Sequence, residues 1–194
     1  MEPASLIATD LACRRGERLL FRGLSFALRA GEALQIIGPN GSGKSSLIRI
    51  AAGLLRPYAG TIERTVPATL LDERLALDEH LPLGRALAFW HRVDRPGDGS
   101  ELVGALGLDP LLEVPVRFLS TGQRKRAAIL LSQPASGGLW LLDEPLNGLD
   151  IDAAAAFQSR VADFLAHGGM AVLASHQLFE VPRLQRLALA DYAL

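Results

Sequence analysis

The sequence predicts an α/β protein built around a mostly parallel sheet. Short apolar runs, ALQIIG at 33–38, LWLL at 139–142 and MAVLA at 170–174, alternate with stretches whose apolar residues recur at helical spacing. Strands covered on both faces read as such continuous runs. Each run is followed within two residues by glycines, carboxylates or a histidine. A parallel sheet gathers its working groups at those carboxyl ends of strands.

The elements follow in order. Residues 6–13 and 24–28 cluster apolar residues and end in turn signals, Arg15-Gly16 and Ala30-Gly31, so both read as strands. ALQIIG is a buried strand that runs into a glycine-rich loop. SSLIRIAAGLL at 45–55 is a helix that stops before Pro57, and GTIER at 60–64 is a further strand. From Pro82 to about Ser132 the pattern turns helical, with LGRALAFWHRV and ELVGALGL flanking the loop DRPGDGS. LWLLDEP at 139–145 is a strand ending in two carboxylates. IDAAAAFQSRVADFLAHGG is a helix stopped by two glycines, and MAVLASH at 170–176 is a strand with polar residues at its end.

Composition narrows the classes. The 194 residues suit one domain, or one domain with a lobe, and 49% hydrophobic residues supply a full core. A net charge of −1 argues against a dedicated nucleic-acid binder, which usually carries a strong basic excess. The single cysteine, Cys13, cannot form an internal disulfide and reads as a small buried hydrophobe in a reducing compartment. No apolar run approaches the roughly 18 residues of a membrane span, and the first residues lack a signal-peptide core. A soluble or peripheral protein is expected, with any membrane part supplied by another chain.

The strongest chemical signal is GPNGSGKS at 38–45, which fits G-x-x-x-x-G-K-[S/T] between a strand and a helix. Gly38, Pro39, Asn40, Gly41, Ser42 and Gly43 let backbone N–H groups turn around a polyphosphate. Lys44 brings positive charge to the β- and γ-phosphates. The Ser45 hydroxyl can ligate Mg²⁺, and Ser46, next in the helix start, is a further candidate for nucleotide binding. A magnesium–nucleotide site also needs a carboxylate at a nearby strand end, and Asp143 stands there. Its neighbour Glu144 falls on the other side of the chain if the strand pairing holds to its end, and can then face an attacking water as general base. His176 ends the next apolar strand at the same sheet edge, where an imidazole can contact a γ-phosphate and polarise the water.

LSTGQRKR at 119–126 raises a separate question. Ser120, Thr121, Gly122 and Gln123 open a helix, where unpaired N–H groups and the helix dipole favour an anion, although Ser and Thr also cap helices with no ligand at all. The basic run Arg124-Lys125-Arg126 reads as one exposed helix face, open to holding phosphate or acidic neighbours, rather than a nucleic-acid patch.

Together these motifs resemble those of the ATP-binding cassette (ABC) ATPases: the phosphate loop, LSTGQ at 119–123, LLDEP at 141–145, Leu149-Asp150 and His176, in that family's order. The resemblance spans nearly the whole chain. It implies a P-loop NTPase fold with a mostly parallel core sheet, a small antiparallel β part and a helical lobe. The single domain 1–194 would have its core at 1–81 and 133–194 and its lobe at 82–132. It also implies ATP and Mg²⁺ as ligands, and a head-to-tail pair of nucleotide domains. Ser120 and Gly122 would then meet the ATP of a second copy, and Asp150 would touch that copy. Within the family the chain is similar to the ATP-binding subunits of bacterial haem exporters in cytochrome c maturation, through its short length, residues 11–55 and SHQ at 175–177. That implies separate membrane-spanning subunits at the cytoplasmic face of the inner membrane, haem or a haem chaperone served through the complex, and no nucleic acid. An exporter of another substrate, a soluble ABC ATPase and a nucleotide sensor with little catalysis stay open.

Two departures stand out. The family usually carries a glutamine between the phosphate loop and the lobe. No Gln lies between Lys44 and Gly122, and Glu73 or Arg74 falls near that place. The family also stacks an aromatic on adenine, where this chain has CRRGE. Arg15 could stack its guanidinium there instead, or face solvent.

Overall fold

The structure is a computed structural model that describes residues 5–72, 77–94, 100–134 and 136–193. Two sheets organise it. Strands β1 (Ser5–Arg15), β2 (Arg18–Arg29) and β4 (Ala59–Arg64) form an antiparallel sheet in the order β2-β1-β4. Strands β3 (Ala33–Ile37), β5 (Ala68–Leu71), β6 (Leu139–Asp143), β7 (Met170–Ala174) and β8 (Leu184–Ala188) form a sheet in the order β5-β6-β7-β3-β8, parallel throughout. The expected α/β class with a small antiparallel part is present.

Period-two alternation in β6 shows how the parallel sheet divides the core. Leu139 and Leu141 face one way and pack with Leu34, Ile36, Val172, the helix α1 (Lys44–Ala51) and the β1–β2 hairpin. Trp140 and Leu142 face the other way and pack with α5 (Ile151–Ala166), α4 (Thr121–Leu131) and residues 77–119. On that second face Trp140 meets Phe157 and Phe164 edge-on, at 5.5 and 5.7 Å between ring centroids. Burial on both faces explains why β6 and β7 carry no alternating polar positions. The segment 77–119 contributes α2 (Leu83–Asp94), α3 (Ser100–Ala105) and two single helical turns.

Several boundaries differ from the sequence expectation. The helix after the phosphate loop ends at Ala51 rather than residue 55. The strand expected at 24–28 begins at Arg18, because β2 pairs with β1 across a two-residue turn at Gly16-Glu17. Strands β5 and β8 are additions. In the loop DRPGDGS, Asp94 closes α2 and Ser100 opens α3, while 95–99 lie outside the described residues. Gly168 and Gly169 do end α5.

The sheet order places the functional groups. The phosphate loop leaves β3, Asp143 ends β6, and His176 lies two residues beyond β7. These three strands are adjacent, so all three groups reach one edge of the sheet.

Candidate nucleotide site

The phosphate loop is held by its own geometry. Gly43 caps α1 in the left-handed region, at φ 110°, and an added Cβ would meet the Phe21 ring at 3.2 Å. Both facts demand glycine at this position. Lys44 is buried, and its Nζ donates to the carbonyls of Gly38 at 2.9 Å and Pro39 at 3.3 Å. The ammonium is thereby folded over the loop. The Ser42 hydroxyl is buried with no hydrogen-bond partner among the described residues. An orphan hydroxyl inside such a loop is a group that a phosphate oxygen would satisfy.

The neighbouring carboxylates divide. Asp143 Oδ1 accepts from Ser45 Oγ at 3.0 Å. Burial pushes the Asp143 carboxyl above its usual pKa. The bond from Ser45 opposes this, the nearby Glu144 adds to it, and the cations Lys125 and Arg49 oppose it. Glu144 turns the other way. Its Oε1 lies 3.8 Å from Lys44 Nζ, and its Oε2 lies 3.1 Å from His176 Nδ1. A carboxylate only accepts, so Nδ1 is the donor when Glu144 is ionised. Strand β6 ends at Asp143, and Glu144 takes φ 45°, an uncommon conformation for a residue with a side chain. Ladder alternation therefore does not aim Glu144. The bond from its N–H to the Ala174 carbonyl, 2.8 Å, holds the backbone.

Above the loop lies a cleft of about 500 Å³, lined by Asn40, Gly41, Gly43, Lys44, Ser45, Ser46 and Glu144, and by Arg15, Arg18 and Leu20 of the hairpin. Arg15 thus stands at the cleft. Arg18 and Leu20 escaped the sequence reading. Their signal was the Gly16-Glu17 turn, which sets Arg15 directly opposite Arg18 across the hairpin. Cys13 is buried behind them, and burial pushes its thiol pKa up, with a bond to Ser46 and the charge of Arg15 acting in opposition.

The turn at 119–123 is a capping box. Ser120 Oγ accepts from Gln123 N at 3.2 Å, and Gln123 Oε1 accepts from Ser120 N at 2.8 Å. No residue of the turn lines the cleft. Gly122 packs on the loop that follows the carboxylates, where a Cβ would meet the Gly148 carbonyl oxygen at 2.6 Å. Asp150 caps α5 through Ala153 N and pairs with Arg126 at 2.6 Å.

One expectation is corrected. Arg124, Lys125 and Arg126 do not form an exposed face. Consecutive helical residues point about 100° apart, and each cation here is tied separately. Arg124 donates to the carbonyls of Leu119 and Arg117, Lys125 to the Asp143 carbonyl at 3.3 Å, and Arg126 to Asp150 and Leu106. Glu73 and Arg74 lie outside the described residues.

The comparisons agree with this geometry. The ABC transporter family pattern matches residues 21–147. A cytochrome c biogenesis ATP-binding export protein of Novosphingobium aromaticivorans is 54% identical over 192 residues, covering 99% of each chain. Its counterpart in Sphingopyxis alaskensis is 50% identical, over 97% of this chain and 98% of that one. Among solved structures, an ABC transporter ATP-binding protein from Pyrococcus furiosus superposes with a TM-score of 0.81 at 19% identity, over 98% of this chain and all of that one. The ATP-binding subunit of another ABC transporter gives 0.76 at 24% identity, over 89% and 80%. No helix among the described residues is long and apolar enough to cross a membrane. The chain belongs to the ATP-binding proteins of the ABC transporter family, in the cytochrome c biogenesis export group.

Proposed function

We propose that the chain hydrolyses MgATP between two copies of itself and so drives a membrane complex for haem export, or for release of a haem chaperone, in cytochrome c maturation. The observation that carries the ATPase chemistry is the division of the carboxylates. Asp143 sits on Ser45, while Glu144 sits between Lys44 and His176. Ser45 and Asp143 offer hard oxygen donors side by side and would hold Mg²⁺, which when bound offsets the charge of the phosphates. Lys44 binds the β- and γ-phosphates, and the backbone of 38–43 wraps them. Glu144 takes the proton from an attacking water, and His176 holds Glu144 and the γ-phosphate in register.

Support for a second copy comes from the turn at 119–123. The box satisfies Ser120 and Gln123, but the N–H groups of Thr121 and Gly122 have no partner among the described residues. Donors at a helix start suit an anion, and the cleft of the same chain contains none of this turn. ATP bound to a second copy fills that role. Arg15 and Arg18 hold the nucleoside end. They face each other directly and form no ion pair among the described residues, an arrangement that is unfavourable without an anion.

The haem role rests on the names of the relatives. On this reading the chain sits at the cytoplasmic face of the inner membrane, docked on separate membrane-spanning subunits. The test is affinity capture of the tagged chain from native membranes, followed by ATPase assay of what is recovered. Polytopic membrane proteins together with a haem chaperone, and turnover abolished by Glu144→Gln, are the expected result. Capture of an unrelated permease would remove haem and keep the ATPase.

A further inference from the structure

Gln35 is an anomaly in β3. The strand is otherwise apolar, and the Gln35 side chain is only 2% exposed. A buried amide is costly unless both its ends are bonded, and here both are. Arg186 Nε donates to Gln35 Oε1 at 3.3 Å, and Gln35 Nε2 donates to the Gln177 carbonyl at 2.8 Å. The direction is fixed by chemistry, because a guanidinium can only donate and a carbonyl only accept. Gln177 continues the chain. Its own Nε2 donates to Asn147 Oδ1 at 3.1 Å, and its N–H donates to Ser175 Oγ at 3.0 Å.

These bonds tie the sheet strand β3 to two segments outside regular structure, the bend at 176–177 and the loop at 144–150. Gln35 lies three residues before Gly38, on the strand beneath the phosphate loop. Gln177 directly follows His176, in a bend outside β7. Asn147 stands in the irregular loop between Glu144 and Asp150. None of the three residues lines the cleft itself, although the Asn147 N–H donates to the carbonyl of the lining residue Glu144 at 3.3 Å, so they act on chemistry through the residues beside them.

We propose that Gln35, Gln177 and Asn147 form a positioning relay that holds His176 on Glu144 and keeps the 144–150 loop in step with the phosphate strand. This rests on the ATPase reading above. The relay fixes the imidazole relative to the strand that carries the phosphates, and a misplacement of about 1 Å at such a group can cost on the order of 100-fold in rate.

The test uses the full chain in its membrane complex. Gln35→Leu replaces the amide by an apolar group of similar size among apolar neighbours. It is expected to lower kcat about tenfold while KM for ATP stays within about twofold, because nucleotide binding does not use the relay. In a His176→Ala background the same substitution is expected to cost nothing further, since the group it positions is gone. Asn147→Ala, at an exposed loop position that leaves the core intact, is expected to lower kcat less and in the same direction. Amide hydrogen exchange supplies a reading independent of turnover. Gln35→Leu should speed exchange in 144–149 and 175–178 and leave 139–143 and 170–174 unchanged. Unchanged exchange in both loops, or losses that multiply in the His176→Ala background, would overturn the relay. Loss of the ATPase reading would look different: the unsubstituted complex would show no turnover that depends on Glu144.

Discussion

The phosphate loop at 38–45 and the turn at 119–123 are both glycine-bearing helix starts, and they are satisfied in opposite ways. The loop leaves polar groups open: Ser42 Oγ is orphaned, and the Lys44 ammonium is folded back over its own carbonyls. The turn closes on itself through Ser120 and Gln123, and its two remaining donors lie outside the cleft. The same helix-start chemistry thus leaves a side-chain hydroxyl open in one place and two backbone donors open in the other. On the two-copy reading proposed above, a single chain carries one half of each of two sites.

Experiments that break this contrast rank by size. Lys44→Ala removes the loop's charge and should weaken MgATP binding by about 100-fold in calorimetry. Glu144→Gln should lower turnover by about 100-fold or more and leave binding intact. In sedimentation it should accumulate an ATP-dependent dimer, whereas a fully active monomer would undo the two-copy scheme. On the turn's side, Gly122→Ala drives a methyl group against the Gly148 carbonyl oxygen. It should cost about 1–3 kcal/mol in denaturant unfolding and also lower turnover.

Asp143, bonded to Ser45, sharpens the comparison through pH. Burial raises the folded-state pKa of Asp143, so the folded chain binds the proton more readily than the unfolded one. Stability from this group is therefore present at low pH and is lost as pH rises through that raised value. Asp143→Asn should raise Tm at neutral pH, lose that advantage below the ordinary carboxylate range, and abolish turnover throughout. The smallest effect is expected at the nucleoside end. With Arg15, Arg18 and Leu20 and no aromatic lining the cleft, ATP and GTP should bind within a few-fold of each other, and Arg15→Ala should weaken both alike.

The parallel strands and the site were legible for a shared reason. β3, β6 and β7 are buried on both faces, so their sequences are unbroken apolar runs, and the motifs sit directly at their ends. β5 and β8 were not legible. β8, LQRLA, lies at the edge of the sheet with Gln185 and Arg186 exposed, so its sequence shows no apolar run to read. The fate of the basic run was hidden differently. Sequence shows three charges, but the bond from Lys125 to the Asp143 carbonyl exists only because α4 packs across the end of β6. Arg18 belongs to no motif, so nothing in its own sequence marks it as a cleft residue. The hairpin register that pairs it with Arg15 could have been read from Gly16-Glu17.

Where Gly122 meets Gly148, two backbones touch with no side chain between them. Side chains interlock, and a surface made of them moves only by repacking one rotamer after another. Two bare backbones have nothing to interlock. The contact therefore sets only how closely the start of α4 can approach the 144–150 loop, and the angle between them is left to the side chains around it, Arg126 on Asp150 and Lys125 on the Asp143 carbonyl.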